Sequence, residues 1–518
     1  MRMKLTARRI NLCTEKPASM ADREYHLRET RVVFSRVDPR GTLATRERGI
    51  VLASSWAAQV TNAIRFVFAS YGRLPKERHI GLDRDVRHPE WTGRILDALG
   101  RPDRYGYNIA VTGSKGKGSH AILTAAILER LGYRVGLFTS PHLVDFLERI
   151  RVNGEMIPEP DFVRIADKVR HVVDRLPVPP DQYIGPVGIV AAMAALWFKE
   201  QQTDFNLFEL GRGARHDDVN QIVHQGVVIT PIFPEHLDRL GPTWEDVVIA
   251  KMGILTEDVS WAVSSQQAPR AMAAMRPYVG RVGDFAYMND TFQVDVMPDE
   301  PSGTYLIRAS YQGHVHSARI DERLLSYPDN VGLSLVAAAQ AIAHRASHQG
   351  DRRTHMPIAV DLSDLILPGR LHVVQESPTV VVDGAIHAVN AAFVRRFVER
   401  RQAGQTGRVC AVLSLPDDKD AEGVVGTLAS VVDEFIFTTA SNPHLQYSRD
   451  LVQLAANHGI AAKSVPEVER AIADAVTSAA ANDLVLCVGT QSFVGDALRF
   501  FRVATGSIWR TRMGDGSR

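Results

Sequence analysis

The chain has 518 residues, more than one hydrophobic core usually supports, so two or three domains are expected. Its 60 Lys and Arg residues balance 59 Asp and Glu residues, and the net charge of +1 does not favour a nucleic acid or an anionic membrane as partner. The three cysteines are scattered and no apolar run could span a bilayer, which predicts a soluble, cytoplasmic protein, monomeric or weakly oligomeric, that acts on small molecules.

The N-terminal part of the chain shows no pattern that points to chemistry. We assign residues 1–75 to an N-terminal extension of unknown role. A possible strand covers Thr30–Val37, and apolar residues at helical spacing predict a helix over Ser54–Tyr71.

From about Gly81 onward, apolar runs of strand length alternate with amphipathic stretches, the pattern of parallel β-α-β units. We therefore expect a parallel sheet with helices packed on it. Its predicted strands are Asn108–Thr112, Arg134–Thr139, Asp204–Leu210 and Val227–Pro231. Its predicted helices include Pro160–Arg175 and Pro186–Glu200.

After Leu255 the pattern changes to runs in which apolar and polar residues alternate. Such alternation predicts antiparallel strands appended to the parallel sheet. The runs are Ser260–Ser264, Gly283–Met297 and Gly303–Ile320. A helix is predicted next, over Asn330–Ala346.

A Pro-Gly pair within Asp361–Arg370 indicates a break between two domains. We therefore divide the rest of the chain into residues 76–367 and a C-terminal domain of residues 368–518. Helical segments separate the predicted strands of the second part, which favours a small doubly wound, Rossmann-like domain. These strands are Thr379–Val382, Arg408–Leu415, Glu434–Thr439, Ala461–Val465 and Asp483–Val488.

A glycine-rich loop, GSKGKGS, lies between the first strand of the parallel region and the helix-like stretch HAILTAAILERLG. The free N–H groups at such a turn favour phosphate, and glycines let the backbone approach phosphate oxygens. Lys117 would neutralise phosphate charge, and Ser119 supplies a hydroxyl suited to a magnesium-bound nucleotide. The spacing is shorter than in the common P-loop, and an ordinary glycine-rich turn is the alternative. The candidate nucleotide-binding residues of the loop are Gly113, Ser114, Lys115, Gly116, Lys117, Gly118 and Ser119.

Three further residues, Glu209, His236 and Lys251, could serve chemistry on ATP. Glu209 ends an apolar strand, where open α/β sheets bind ligands, although a solvated carboxylate is the alternative. His236 also follows a strand, yet a lone histidine there is more often a surface or packed residue. Lys251 lies in the apolar segment VVIAKMGIL, so its amine is either functional or extends to the surface.

Several segments share the pattern of one enzyme family. VTGSKGKGS is similar to the family loop GTNGKGS, and ELGRGARHDDVN resembles EVGLGGRLDATN. SPHLVDFLERIRVNGEMI is close to the family's most distinctive stretch, and PEHLDRLGPTWEDVVIAKMGIL resembles DHxxxLGxTxxxIAxEKAGI. PGR at 368–370 and DGA at 383–385 match a hinge arginine and the aspartate that opens the C-terminal domain. Over about residues 81–500 the chain thus resembles the folylpolyglutamate synthase/dihydrofolate synthase family of the Mur ligase superfamily.

The resemblance implies an α/β fold with a P-loop, Mur-ligase-type central ATPase domain and a C-terminal Rossmann-like ligase domain. The central domain would combine a parallel sheet with a small antiparallel sheet. The implied cofactors are ATP and two Mg²⁺ ions, held by Ser140, Glu209, His236 and Lys251. Carbon dioxide would carbamylate Lys251, which turns a cation into an anion able to help hold a metal, a change that arginine could not undergo.

The implied reaction joins an amino acid to a carboxylate in two steps. The carboxylate attacks the γ-phosphate of ATP to give an acyl phosphate, and an amine then displaces the phosphate. Lys117, the metal ions and Arg370 would offset the anionic charge, and Asn330 would contact adenine. Arg370 and Asp383 would swing onto the nucleotide as the domains close. The implied catalytic residues are Lys117, His236, Lys251, Arg370 and Asp383.

The chain departs from the family pattern at residues expected near the substrates. The family's DGAHNP reads DGAIHAVNA here, so Ile386 stands in the place of a histidine, and His387 either takes over that role or the amino-acid pocket has changed. His444 replaces a common arginine, Tyr327 a usual glutamine, and Gly188 a frequent glutamate. The candidate substrate-binding residues are Asp383, His387 and His444.

The leading interpretation is an ATP-dependent amide ligase that joins an amino acid, by default glutamate, to a carboxylate of a folate-like molecule in one-carbon metabolism. One alternative is a pathway-specific ligase with a non-folate acceptor, which the DGAIHAVNA segment and the long N-terminal extension favour. Another alternative is a P-loop kinase or nucleotide-binding regulator, which would not need Lys251. A silent scaffold is disfavoured because Lys117, Glu209, His236 and Lys251 are all present.

Overall fold

The structure, a computed structural model, describes residues 44–299, 302–348, 356–403 and 406–509. Within these ranges the strands are β1 (Tyr107–Thr112), β2 (Val135–Phe138), β3 (Ile150–Val152), β4 (Glu155–Met156), β5 (Phe205–Glu209), β6 (Gly226–Ile229), β7 (Trp261–Ser264), β8 (Asp284–Tyr287), β9 (Phe292–Asp299), β10 (Thr304–Tyr311), β11 (His314–Ile320), β12 (Ala359–Asp361), β13 (His372–Glu376), β14 (Thr379–Asp383), β15 (Val409–Ser414), β16 (Glu434–Thr439), β17 (Ala461–Glu467) and β18 (Leu484–Gly489). The α-helices of the same ranges are α1 (Ala44–Gly72), α2 (Asp83–Val86), α3 (Glu90–Ala98), α4 (Lys117–Arg130), α5 (Glu159–Val173), α6 (Pro186–Glu200), α7 (Leu237–Leu240), α8 (Trp244–Met252), α9 (Pro269–Val279), α10 (Pro328–His348), α11 (Ala388–Arg401), α12 (Ala421–Leu428), α13 (Leu451–Asn457), α14 (Val468–Ser478) and α15 (Gln491–Phe500).

The first sheet has the strand order β4-β3-β2-β5-β1-β6-β7-β8. From β2 to β8 in this order the strands run parallel, and the short β3–β4 hairpin forms an antiparallel edge. Strand β1 lies at the centre with every residue buried. Apolar side chains pack on both faces of the sheet, with α1, α3, α5, α6, α8 and α9 on one face and α4 and α10 on the other. The predicted parallel sheet is therefore confirmed.

Two strands predicted to be antiparallel belong instead to this parallel sheet. Strand β7 pairs in parallel with β6, and β8 pairs in parallel with β7. The prediction for Ser260–Ser264 and for the first part of Gly283–Met297 is therefore wrong. A turn between β8 and β9, where Asn289 has a φ of 67°, divides the second run between two sheets.

The second sheet has the order β12-β11-β10-β9. Strands β9, β10 and β11 form an antiparallel meander, and β12 joins β11 in parallel. Ile307, Ala309 and Ala318 are fully buried in the same core as α10. The predicted antiparallel strands over Gly303–Ile320 are thus confirmed as a small mixed sheet.

The third sheet has the order β13-β14-β18-β15-β16-β17. Its strands run parallel except β13, which pairs antiparallel with β14 at the edge. One face packs against α11, α12 and α13 and the other against α14 and α15, as expected of a doubly wound sheet. Every strand of this sheet lies within residues 368–518, and every strand of the first two sheets lies within residues 76–367. The domain boundaries themselves stay a prediction.

Helix α1 lies within the predicted N-terminal extension and joins the core on one face of the first sheet. It packs against α5 and α6, and Val60 and Val67 are fully buried in the core of that face. The helix predicted over Ser54–Tyr71 lies within α1, whereas the possible strand Thr30–Val37 lies outside the described residues. Across the described ranges, no helix is both long enough and apolar enough to cross a membrane.

Residues 505–509, here called the C-terminal strap, return from the third sheet to the first. The Thr505 hydroxyl donates to the Glu148 carboxylate at 2.6 Å, and the Arg151 guanidinium donates to the backbone oxygens of Thr505 and Gly506 at 2.6 and 2.7 Å. Trp509 is 1% exposed, in the core that the first sheet shares with α4 and α10. The strap therefore ties residues 505–509 to the β3–β4 edge.

We expect Trp509→Ala to destabilise the protein by about 3–5 kcal/mol, because a buried indole is removed and a cavity remains. The melting temperature, followed by circular dichroism, measures this effect. Trp244 is only partly buried and serves as the control, since Trp244→Ala should cost less. Equal melting temperatures of the Trp509 variant and the unsubstituted protein would show that the strap does not contribute to stability.

Candidate active site

The carboxyl ends of three neighbouring strands meet at the glycine-rich loop. Glu209, the last residue of β5, pairs with Val111 of β1, and Ile229 of β6 pairs with Thr112 of β1. The chain leaves β1 after Thr112 and enters α4 at Lys117. The loop therefore lies at the edge of the sheet where open α/β folds bind ligands, beside the N–H groups of a helix N-terminus.

The loop is fixed to the segment that follows β6. Gly113 has a φ of 132°, and a Cβ at this position would collide with Thr230. The Ser114 hydroxyl donates to the backbone oxygen of Phe233 and accepts from its N–H, both at 3.1 Å. Because this segment continues to His236, the loop and the predicted histidine ligand belong to one connected unit.

Glu209 is a buried carboxylate beside the loop. Its side chain accepts from the backbone N–H of Ser140 at 3.0 Å, and a Cβ on Gly118 would lie 3.4 Å from both carboxylate oxygens. Burial raises the pKa of Glu209, while the charges of Lys117 and Arg370 and the N–H groups of Ser140 and Gly118 act against that rise. An ionised Glu209 would repel a nucleotide phosphate unless a cation lay between them, so this position suits a metal ligand.

Lys251 is fully buried and its amine has three acceptors. Its Nζ donates to the backbone oxygen of Gly113 at 2.8 Å, to that of Arg212 at 2.6 Å and to Glu235 Oε1 at 3.1 Å. Lys117 Nζ donates to the same Gly113 oxygen at 3.1 Å, so both lysines contact the loop. Three acceptors match the three N–H donors of an ammonium group. Burial nevertheless lowers the pKa of Lys251 to about 7, with the nearby Lys117 charge acting in the same direction.

Glu235 is a site residue that the sequence reasoning missed. Its carboxylate contacts Lys251 at 3.1 Å, Lys115 Nζ at 3.5 Å and the His236 ring at 4.0 Å. Burial opposes ionisation of Glu235, but the charges of Lys251, Lys115 and Lys117 outweigh it and the pKa is lowered. The available signal was the acidic residue directly before the histidine in PEHLDRLG. Glu235 thus links Lys251 to His236.

The predicted metal ligands reach the loop as two groups. Glu209 and Ser140 form the first group, and His236 and Lys251, joined by Glu235, form the second. Among the described residues, no three His, Cys, Asp or Glu side chains are arranged as a metal site. Each group supplies a few ligands and leaves other positions to phosphate and water, which fits magnesium.

The third sheet contributes Arg370 and Asp383. Asp383 is 2% exposed, and its Oδ2 accepts from the Leu371 N–H at 2.9 Å and from the Tyr327 hydroxyl at 3.1 Å. Burial raises the pKa of Asp383, and the Arg370 charge and these hydrogen bonds limit the rise. The Arg370 charge also acts on Glu209. Arg370 therefore lies close enough to influence one buried carboxylate on each sheet.

His387 joins the third sheet to the loop region. It precedes α11, and its Nδ1 accepts from the Val389 N–H at 3.4 Å and lies 3.8 Å from Asp420. Its ring centroid lies 5.7 Å from that of Phe233, the residue that binds Ser114. Ile386 packs against the core of the third sheet. The apolar residue that replaces the family histidine therefore packs on the core of the third sheet, while His387 lies beside Phe233, which follows β6 of the first sheet.

The remaining candidates lie at different distances from this centre. Asn330 is partly exposed in the first turn of α10, where its N–H donates to the Tyr327 oxygen at 3.1 Å. His444 is exposed in a turn after β16, and its N–H donates to its neighbour Asn442 at 3.1 Å. Among the described contacts, none joins His444 to the loop. A Cβ at Gly188 would collide with Thr92, so the position of the family glutamate is filled by other side chains.

Comparison with known proteins agrees with this architecture. A family model described as Mur ligase, glutamate ligase domain, matches residues 369–491. A dihydrofolate synthase/folylpolyglutamate synthase of Bacillus subtilis is 27% identical over 411 residues, which cover 78% of this chain and 92% of that protein. These matches confirm the resemblance predicted from the motifs.

Solved structures show the same fold. A Mycobacterium tuberculosis folylpolyglutamate synthase in complex with ADP has a TM-score of 0.67 and 24% identity, covering 80% of this chain and 95% of that one. A bifunctional folylpolyglutamate synthase/dihydrofolate synthase from Yersinia pestis, in complex with AMPPNP and a Mn ion, has a TM-score of 0.64 and 22% identity, covering 82% of this chain and 94% of that one. At these identities the likeness establishes the fold, and the predicted Mur-ligase-type architecture is confirmed.

Proposed function

Because this chain belongs to the folylpolyglutamate synthase/dihydrofolate synthase family of the Mur ligase superfamily, a group of ATP-dependent amide ligases, we propose that it joins glutamate to a carboxylate of a folate-like molecule. The observation that carries the proposal is the pair of buried residues at the glycine-rich loop. Glu209 is held beside the start of α4, and Lys251 donates to the Gly113 oxygen from the other side. A kinase would need a phosphate loop but no second buried lysine against it.

The reaction that we propose has two steps. A carboxylate oxygen of the acceptor attacks the γ-phosphorus of ATP, and the bond between this phosphorus and the β–γ bridging oxygen breaks. The products of this step are ADP and an acyl phosphate. The glutamate nitrogen then attacks the acyl carbon, inorganic phosphate leaves, and the nitrogen loses a proton. Both steps concentrate negative charge, which Lys117 and Arg370 would offset from the two domains.

Magnesium fits the two ligand groups at the loop. We propose that Glu209 and Ser140 hold one ion and that His236 and Lys251 hold the other. A bound ion would supply neutralisation of phosphate charge. The chain itself keeps Glu209 in place through the Ser140 N–H at 3.0 Å and surrounds it with the cations Lys117 and Arg370.

Lys251 is suited to react with carbon dioxide. Only the neutral amine forms a carbamate, and a pKa of about 7 makes that form common at neutral pH. A carbamate keeps one N–H, so Glu235 would have to turn from Lys251 toward Lys115, which already lies 3.5 Å from its other oxygen. The modified side chain would then be an anion close to His236. We propose this carbamate as part of the active enzyme.

A non-folate acceptor is the second candidate, and the position of His387 favours it. His387 caps α11 and packs against Phe233, while Ile386 lies against the core. The imidazole nearest to position 386 therefore belongs to the next residue and starts from a different backbone position. We propose that this shift changes which groups are available to bind the substrates.

The proposed reaction suggests where the enzyme acts and with which partners. ATP and glutamate are metabolites of the cytoplasm, and we propose that the chain acts there as a monomer or weak oligomer. Its partners would be a small carboxylate acceptor and an amino acid.

An assay of phosphate release tests both the class of reaction and the identity of the substrates. Purified protein is incubated with ATP, Mg²⁺ and either dihydropteroate or a folate, and the twenty amino acids are varied in turn. We expect phosphate to appear only when acceptor and glutamate are both present, and Lys117→Ala should abolish it. ADP formation that is indifferent to amino acids would instead indicate a kinase or regulator. Release with glutamate but another acceptor would favour the pathway-specific alternative.

A further inference from the structure

We propose that Tyr327 is a positioning residue that holds Asp383 from the opposite side of the predicted domain boundary and thereby fixes the backbone segment that carries Arg370. The inference rests on the proposed function, because it gives a reason for Arg370 to be oriented. Tyr327 stands where the family pattern usually has glutamine.

Tyr327 belongs to one domain by sequence and to the other by packing. It lies before α10, yet its ring is buried in the core of the third sheet with Leu371 and Ala385. The ring of Phe393 on α11 lies 4.9 Å away between centroids. The hydroxyl is thereby delivered to the carboxyl end of β14.

The hydroxyl of Tyr327 acts on a buried carboxylate. It donates to Asp383 Oδ2 at 3.1 Å, and the same oxygen accepts from the Leu371 N–H at 2.9 Å. Asp383 is 2% exposed, so water cannot easily replace a lost donor. Without the hydroxyl, the carboxylate would have to turn toward another donor.

Asp383 holds the segment that carries Arg370. Leu371 has a φ of 43°, a left-handed conformation that costs a non-glycine residue free energy and needs a holding contact. The hydrogen bond from its N–H to Asp383 supplies that contact. Rotation of Asp383 would release Leu371 and, with it, the adjacent Arg370.

The Arg370 guanidinium lies against its own backbone. Its Nη1 donates to the Gly369 oxygen at 2.7 Å, and the Gly384 N–H donates to the same oxygen at 2.9 Å. A Cβ on Gly384 would collide with the guanidinium. The guanidinium therefore lies on the backbone beside Asp383, and its direction depends on that backbone.

The backbone of Tyr327 links the same unit to α10. Its carbonyl oxygen accepts from the N–H groups of Asn330 and Val331 at 3.1 and 3.2 Å. Asn330 is the residue expected to contact adenine. Tyr327 thus lies between the expected base site and the contacts of Asp383 and Leu371 that lead to Arg370.

Two substitutions separate positioning from packing. Tyr327→Phe keeps the ring and removes the hydroxyl, whereas Tyr327→Gln removes the ring and restores a side-chain donor. We expect Tyr327→Phe to lower kcat about 10-fold to 100-fold with a nearly unchanged KM for the acceptor and a moderate fall in melting temperature, since a hydrogen bond to a buried charged group is lost. Tyr327→Gln should melt lower than Tyr327→Phe yet turn over faster. If kcat instead falls in the same order as the melting temperature, Tyr327 is only a packing residue.

A double substitution tests the route through Arg370. When Arg370→Lys has already removed the fixed guanidinium, Tyr327→Phe should lower kcat by less than about 2-fold more, because residues acting in one unit are not additive. Independent, multiplied effects would overturn the proposal.

A crystal structure of Tyr327→Phe gives a readout that needs no turnover. Arg370 should leave the Gly384 backbone or occupy more than one position, and an unmoved Arg370 would contradict the inference. Failure of the proposed function would appear differently, as absence of glutamate-dependent phosphate release by the unsubstituted protein.

Discussion

Replacing Lys251 with alanine should lower the rate of amide formation by about 1,000-fold or more while the protein still folds, because a group that acts on transition-state charge is lost. The side chain is fully buried and touches the loop directly, through the Gly113 oxygen at 2.8 Å. Initial rates of glutamate-dependent phosphate release measure the loss, and circular dichroism checks the fold. Formate or acetate should partly restore the rate, since a small carboxylate can take the place of the carbamate.

A surface lysine provides the control for this substitution. Lys168 is half-exposed and pairs with Glu200 on the far helices, so Lys168→Ala should retain its rate. Incorporation of ¹³C-labelled carbon dioxide, observed by NMR, should give a carbamate signal that Lys251→Ala lacks and Lys168→Ala keeps. Full activity of the Lys251 variant would remove the carbamate hypothesis.

The pH dependence of the folding stability provides a second test of Lys251. The folded pKa of about 7 lies below the ordinary lysine value near 10.4, so the unfolded chain binds the extra proton between these values. The contribution of Lys251 to stability is therefore lowest below pH 7 and rises as the pH increases through this window. In Lys251→Met the rise should disappear, which melting temperatures at pH 7 and pH 9 would reveal.

The central strands of the first sheet could be predicted from the sequence because the residues that specify them are adjacent in the chain. The predicted strand Asn108–Thr112 differs from β1 by one residue, since an apolar run ends directly at glycines. Strand Asp204–Leu210 likewise contains β5, which ends at Glu209. Where a run of apolar residues ends directly at residues that favour a turn, the sequence alone locates the strand and the side chain at its end.

The strands and segments at the edges of the sheets could not be predicted in this way. Strand β8 has only four residues and merges in sequence with β9, so its parallel pairing with β7 depends on a partner more than 20 residues earlier. The C-terminal strap has no periodicity at all, and its place follows from the buried Arg151 and Glu148. Tertiary contacts between distant residues decide such elements.

The candidate site shows the same division. Motifs selected Glu209 and Lys251 individually, and the sheet register explains why both reach the loop. The Glu235 contact was missed because it joins α8 to a loop 16 residues earlier, and charge alone does not specify the partner of a buried lysine. The role of Tyr327 was missed because a tyrosine hydroxyl gives no sequence signal for a carboxylate 56 residues away.

Arg370→Ala should reduce turnover by about 100-fold to 1,000-fold, because one preorganised cation at the developing phosphate charge is removed. Its charge acts on Glu209 and Asp383, which burial has already made harder to ionise. Their raised pKa values mean that folding binds protons just above the unfolded pKa values, so their contribution to stability falls as the pH rises through that window. Removing Arg370 should raise both pKa values further, so the fall in stability should continue to higher pH. The variant should therefore lose more stability at pH 8 than at pH 5.

Matched variants separate the catalytic effect from the loss of charge. Arg370→Lys keeps the cation but not the planar guanidinium, so it should recover the stability at pH 8 more fully than the turnover. Arg270 is exposed and pairs with Glu245, and Arg270→Ala should change neither quantity. Steady-state phosphate release and melting temperatures at both pH values provide the comparison. Unchanged turnover of Arg370→Ala would place the residue outside the reaction, since a cation that faces ATP cannot be removed without cost to the rate.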